Sequence, residues 1–169
     1  SDNVLAEVLA REVAIERKAE PSFEGAAAQT LSALSQSGFD TAGAKLVDGS
    51  GLSTADEVPA RLLAAVLAEA AAPAQGARDT QFLRPIISGL PVAGGDGTLA
   101  DRFTTGTPSS SGRGVVRAKT GTLTGVSSLA GIVTDADGRL LVFALMSNGV
   151  NPGLVRPKLD AIAAQLGRC

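Results

Sequence analysis

Histidine is absent from this chain. No Ser-His-Asp triad, no Cys-His dyad and no histidine-based zinc site can be built from it. Any hydrolytic chemistry has to take its base from Lys, Asp, Glu or a partner. Cysteine is nearly absent too: the one thiol, Cys169, is the last residue, and chain ends hold a nucleophile poorly. It either stays free or pairs with a cysteine of another chain in an oxidising compartment, and there is no second cysteine to decide. Trp and Tyr are missing and aromatics make up 3% of the residues, so Ala, Leu and Val must build most of the core. The net charge is -2 with no basic cluster, which argues against nucleic acid as a partner. No apolar run approaches the roughly 18 residues of a transmembrane segment. The chain opens on Ser rather than Met, without a signal-type stretch, as a mature or trimmed product would.

What is present suffices for one ordinary domain: 169 residues, 44% of them hydrophobic. Leu5, Val8, Leu9 and Val13 recur at helical spacing in a first helix over 4–19, with Asp2 or Asn3 as its cap and Glu7 and Arg11 as an i,i+4 pair. A second helix runs from Ser22 or Phe23 to Ser37 and stops at Gly38. "AKLVDGSGLS" reads as a short strand-like run followed by a turn. A third helix spans about Pro59–Ala72, ended by Pro73, and a short fourth holds Gln81–Ser88.

From Pro91 the texture is loop-rich, then three β-type runs follow: Gly114–Thr120, Gly125–Thr134 and Leu140–Ser147. The turn "DADGR" between the last two is a hairpin signal. Pro157–Leu166 reads as a closing helix. The order predicts an α+β chain, mainly helical over 1–90, with loops, three antiparallel strands and a helix over 91–169. So small a sheet leaves an open edge and an uncovered side, as if 1–169 were one part of a larger single domain.

Lys119 stands in the apolar run "VVRAKTGTL". As a bare pattern it fits a solvent-facing edge-strand gatekeeper. A phosphate loop needs Gly before the lysine, and Ala118 is there. A further reading makes it the rim of a serine-acyltransferase site. Its ammonium binds a substrate carboxylate, the Thr120 and Thr122 hydroxyls bond the same group, and Gly121 keeps the strand bare for a substrate backbone. Ser1-Asp2-Asn3 opens the chain as an ordinary N-cap, or, beside Lys-Thr-Gly, as the second of three motifs S-x-x-K, S-D-N and K-T-G. A weaker alternative makes Ser1 an N-terminal nucleophile whose own amine is the base.

Four blocks in order, "SDNVLAEVLAR", "VDGSGLS", "LPVAGGDGTLADR" and "VRAKTGTLTGVSSLAG", resemble the class C low-molecular-mass penicillin-binding proteins, D-alanyl-D-alanine carboxypeptidase/endopeptidases of bacterial cell walls. The resemblance implies an antiparallel sheet flanked by helices in a penicillin-binding/β-lactamase-like transpeptidase fold. It implies that Ser1 relays a proton, that the Asn3 amide contacts substrate and catalytic lysine, and that Lys119 anchors the carboxylate. Thr120, Gly121 and Thr122 line the substrate, the Thr122 N–H forming half of an oxyanion hole. Ser1 and Lys119 are then expected within hydrogen-bonding reach, facing one cleft. The implied partners are the D-Ala-D-Ala stem peptide of peptidoglycan and β-lactam antibiotics, met outside the bacterial cytoplasm, in the periplasm or cell wall. No metal or organic cofactor is called for.

Ser-x-x-Lys occurs nowhere: Lys18, Lys45, Lys119 and Lys158 follow Ile15, Ala42, Val116 and Val155 at three residues. The nucleophile and base are expected from an N-terminal part, supplied as a separate chain, a cleaved fragment or an omitted segment. Basic residues expected after "DGSGLS" are replaced by "TADE". The alternative is a non-catalytic binding or structural domain of the same kind.

Overall fold

The computed structural model describes residues 1–72 and 81–169. They divide into two compact units, Ser1–Leu62 and Leu63–Cys169.

In the first unit, α1 (Asn3–Glu16) and α2 (Phe23–Gln36) pack through Ala10, Ala14 and Ala26. Alanine contacts bring helix backbones close and lose no side-chain entropy. Asp2 caps α1, its carboxylate accepting the Leu5 N–H at 2.9 Å, and the Ser22 hydroxyl caps α2 at Gly25 N–H, 3.0 Å. Beyond α1, Arg17 donates to Gln29, Ser32 and Gln36 of α2. The Glu7–Arg11 pair gives way to better partners. Arg11 lies 4.5 Å over the Phe23 ring, and Glu7 turns to the loop described below. The strand-like run at "AKLV" forms one bridge, Lys45 with Glu57, each N–H reaching the other carbonyl at 2.7 Å. Helix α3 (Ala60–Ala71) begins at the end of this unit and lies mostly in the second; Pro73, its expected stop, lies outside the described residues.

In the second unit, a 3-10 turn at Gln81–Leu83 leads into α4 (Arg84–Ser88). Further 3-10 turns at Gly97–Leu99 and Ser110–Gly112 punctuate the loops. Strands β1 (Val116–Leu123), β2 (Val126–Thr134) and β3 (Leu140–Asn148) form an antiparallel sheet in the order β1-β2-β3. Lys119 pairs with Ala130, and Ala130 with Ala144. The β2–β3 turn is fastened by Asp135, whose carboxylate accepts from the N–H groups of Asp137 and Arg139 and from the Arg139 guanidinium. Helix α5 (Pro152–Leu166) lies on the sheet. Leu99, Phe103, Val116, Ala118, Leu129, Val133, Phe143, Leu159 and Ala163 interlock in the principal core. The side expected to be uncovered is not bare: Leu67 and Leu90 pack on Ile132, with Ile87 and Val142 beside them.

Three boundaries move most. α1, expected to reach residue 19, stops at Glu16, with Arg17 as its C-cap and Lys18 at a left-handed φ of 56°. β1 starts two residues late and runs on past Gly121, because Gly114 (φ 77°) turns the chain into the strand and Gly125 (φ 74°) turns it out. α5 starts at Pro152 rather than Pro157: the Asn151 side chain accepts the Gly153 N–H at 2.8 Å, and proline suits a first helical position. Pro157 then sits inside the helix, where its missing N–H costs one bond, that to Gly153.

Candidate active site

In the first unit, Ser1 precedes α1 and Asn3 is its first residue; both are exposed. Because Asp2 caps the helix, the Asn3 amide is not consumed by that role. The same helix holds the "DGSGLS" loop. Glu7 Oε1 accepts the N–H groups of Gly49 (3.0 Å) and Ser50 (2.8 Å). Asp48 accepts Gly51 N–H (2.6 Å) and Ser53 N–H (2.7 Å), and Asp56 accepts Val47 N–H (2.7 Å). Gly49 must be glycine: a Cβ there would lie 2.5 Å from that of Ala10. The loop that carries exposed Leu52 is therefore fixed to the helix that begins with Asn3. Asp56 Oδ2 is buried without a partner among the described residues. Burial, with the neighbouring Asp48 carboxyl adding to it, raises the Asp56 pKa above the usual carboxylate range.

In the second unit, Lys119, Thr120, Gly121 and Thr122 are consecutive on β1. The outer edge of that strand is paired at its start by Pro91–Ala93: Ala93 N–H donates to Val116 C=O (2.9 Å) and Ala118 N–H to Pro91 C=O (3.0 Å). The main-chain groups of Val116 and Ala118 thus point outward. Antiparallel alternation puts those of Thr120 and Thr122 on the same edge, beyond the last pair. Among the described residues no main-chain group pairs with Thr120–Leu123 from that side.

Side chains alternate the other way. Arg117, Lys119 and Gly121 share one face, and Val116 and Ala118 are buried on the opposite one. A Cβ at Gly121 would fall 2.3 Å from the Ser128 Oγ directly across the ladder, so the missing side chain is what leaves that hydroxyl room. Lys119 Nζ donates to the Thr120 carbonyl at 2.8 Å, and the partial burial of this otherwise exposed side chain pushes its pKa below the ordinary lysine value. Thr120 Oγ1 donates to Thr98 Oγ1 at 2.9 Å. Lysine, threonine hydroxyl and two outward main-chain groups converge there. Such a strand edge can take an extended peptide in its ladder and a carboxylate at its cation. Glu7 and Thr98 were not read as site residues; nothing local marks them, since their partners stand 42 and 22 positions away.

Among the described residues no cluster of three or more metal-ligating side chains occurs, and no helix is long and apolar enough to cross a membrane.

Residues 1–168 match the D-Ala-D-Ala carboxypeptidase 3 (S13) family. The chain is 48% identical to Carboxypeptidase DacB of Mycolicibacterium smegmatis, over 100% of this chain and 35% of that protein. It is 46% identical to Carboxypeptidase Rv3627c of Mycobacterium tuberculosis, with the same coverage of 100% and 35%. It therefore spans about a third of the length of these relatives. Penicillin binding protein 4 (dacB) of Haemophilus influenzae superposes with a TM-score of 0.82 at 26% identity, covering 99% of this chain and 37% of that one. The same protein complexed with a β-lactam gives 0.82 at 28%, covering 99% and 39%.

Proposed function

The chain belongs to the D-Ala-D-Ala carboxypeptidase 3 (S13) family, and from that premise we propose that it is the later part of a serine D-Ala-D-Ala carboxypeptidase/endopeptidase. The substrate is the peptidoglycan stem peptide, met outside the bacterial cytoplasm, and β-lactams acylate the same enzyme. The observation that carries this reading is the edge of β1, where Lys119 stands beside the outward main-chain groups of Thr120 and Thr122.

In this mechanism the nucleophilic serine and its lysine base come from an S-x-x-K part of the longer protein, or from a second chain. A neutral lysine can activate a serine when burial and nearby cations lower its pKa. The Lys119 ammonium draws in the terminal carboxylate of the peptide. So exposed a pair adds at most about 1 kcal/mol, so its main work is orientation. The peptide lies along β1, with Gly121 leaving the strand clear. The Ser1 hydroxyl relays the proton towards the leaving amine, and the Asn3 amide holds the substrate backbone. The Thr122 N–H stabilises the developing oxyanion. Attack expels D-Ala and leaves an acyl-enzyme, which water hydrolyses; a β-lactam stalls at the acyl stage.

The test uses the full-length protein and a labelled penicillin. Wild type should be acylated at the S-x-x-K serine and should release D-Ala. Lys119→Ala should slow acylation by about tenfold or more while the fold is retained, since exposed positions change stability by about 0.5 kcal/mol. Arg at that position should rescue poorly, because a planar fork is not a compact ammonium. The 169-residue chain alone should not be acylated. Stable acylation mapped to a serine of this chain refutes the assignment, and a full-length protein that neither binds penicillin nor releases D-Ala favours a non-catalytic domain.

A further inference from the structure

The second unit has an open cleft of about 380 Å3 that the mechanism above does not use. The last turn of α3, helix α4 and the second side of the sheet enclose it. Arg117 of β1 stands opposite Ile132 of β2 in the ladder, so their side chains lie together on that side. Ile132, 5% exposed, forms the floor, and Ile87 of α4 packs beside it. Leu140 at the start of β3 and Arg84 of α4 complete the lining. Helix α3 meets the cleft with Ala70 and Ala71, whose short side chains leave the space open.

The charge of the cleft has one sign. Arg84 and Arg117 line it, and among the described residues no carboxylate does. Neither guanidinium has an ion pair or a hydrogen bond among the described residues. The acids of the β2–β3 turn, Asp135 and Asp137, are taken by Arg139. Ser88 spends its proton on the Pro85 carbonyl, 3.1 Å away, which leaves the arginines as the side-chain donors. Two cations from separate elements at one recess draw in an anion. A planar guanidinium matches a planar carboxylate, with two parallel hydrogen bonds. The rest of the lining is aliphatic apart from Ser88, so the anion needs an apolar body. A bilayer is too broad to reach a floor as buried as Ile132, and the volume suits a small molecule.

We propose that this cleft binds a small organic carboxylate with an apolar body, its head held by Arg84 and Arg117 and its body lying on Ile132. The inference stands apart from the peptidase reading. Cleft and candidate active site share the strand β1, but no residue of that site lines the cleft.

The test titrates the full-length protein with 4-phenylbutyrate, followed by ligand-observed NMR. The protein is first treated with benzylpenicillin, so that the edge beside Lys119 is occupied. Phenylbutyrate should still bind saturably. 4-Phenylbutanamide keeps the body without the charge and should bind about tenfold more weakly, two exposed ion pairs being lost. Acetate keeps the charge without the body and should also be about tenfold weaker or more. Arg84→Gln and Arg117→Gln should each weaken phenylbutyrate by about fivefold. Ala71→Leu fills the cleft without touching its charge and should weaken it by about tenfold or more. Absence of saturable binding to wild type overturns the proposal, as does equal affinity for acid and amide. Arginine variants that bind like wild type, or an undiminished Ala71→Leu protein, do the same. A wild type that benzylpenicillin does not acylate, yet whose binding depends on both arginines, refutes the peptidase reading and supports this inference.

Discussion

Replacing Asp160 by Asn tests how the second unit is held together. Asp160 lies on α5 and takes the Arg102 guanidinium in a two-pronged contact, Nη2 at 2.5 Å and Nε at 3.1 Å. The side chains are 14% and 7% exposed, Arg102 and Asp160 respectively. Asn has nearly the same volume, so no cavity opens. It removes the charge and strands a guanidinium in the interior, which costs about 3–5 kcal/mol. The amide oxygen still accepts one bond, which favours the lower figure. Since about 1.4 kcal/mol is a factor of ten, exchange through opening of this unit should become on the order of a hundredfold faster. Native-state hydrogen exchange of the full-length protein measures it, in peptides covering Val126–Thr134 and Pro152–Leu166. The double change Arg102→Leu, Asp160→Leu should recover most of the protection, because no charge is left behind. Exchange in Asp160→Asn within about threefold of wild type would refute the reasoning. So would a double variant as labile as the single.

Two further outcomes are expected. Asp56 has a raised pKa, chiefly from burial and then from nearby Asp48, so the folded state holds its proton more tightly than the unfolded one. Stability is therefore lost as pH rises through the folded value, and Asp56→Asn should raise Tm at neutral pH; a Tm difference that does not change between acid and neutral pH would count against it. Partial burial holds the Lys119 pKa below the ordinary lysine value, so carboxylate-bearing ligands should lose affinity as pH rises, starting before the ordinary lysine range is reached. In Lys119→Arg the alkaline limb should move upward, whatever the absolute rate, and an unmoved limb would assign it to another group.

Elements with a local cause were legible in the sequence. α1 and α2 form where expected and carry their caps, Asp2 and Ser22, although in α1 the spaced Leu5, Val8 and Leu9 stay exposed and Ala10 and Ala14 make the buried contacts. The β2–β3 hairpin follows from Asp135–Arg139, whose side chains close the turn themselves. The strand bearing Lys119 was legible because apolar and polar residues alternate there; its end was not, since the run was expected to stop at Thr120 and continues to Leu123, with Gly121 a gap over Ser128. α5 offered two prolines able to start a helix, and the Asn151 cap decided for the earlier one. Partners distant in the chain left no local mark. Glu7 looked like half of a helical ion pair, and its use by Gly49 and Ser50 appears only once the loop is folded back. The coverage of the sheet's second side by Leu67 and Leu90 is of the same kind.

The pairing of Pro91–Ala93 with the start of β1 also fixes an aperture. The strand runs Val116–Leu123, and the paired stretch reaches Ala118. Beyond Lys119 lie the four residues Thr120–Leu123, about 13 Å of extended chain at about 3.3 Å per residue. A guest strand that tried to add further residues would run into Pro91, already paired with Ala118, at one end and the Gly125 turn at the other. The edge accordingly leaves main-chain groups for a guest segment of only a few residues. The same geometry that offers hydrogen bonds to a ligand of a few residues denies them to the open-ended stacking by which exposed strands aggregate.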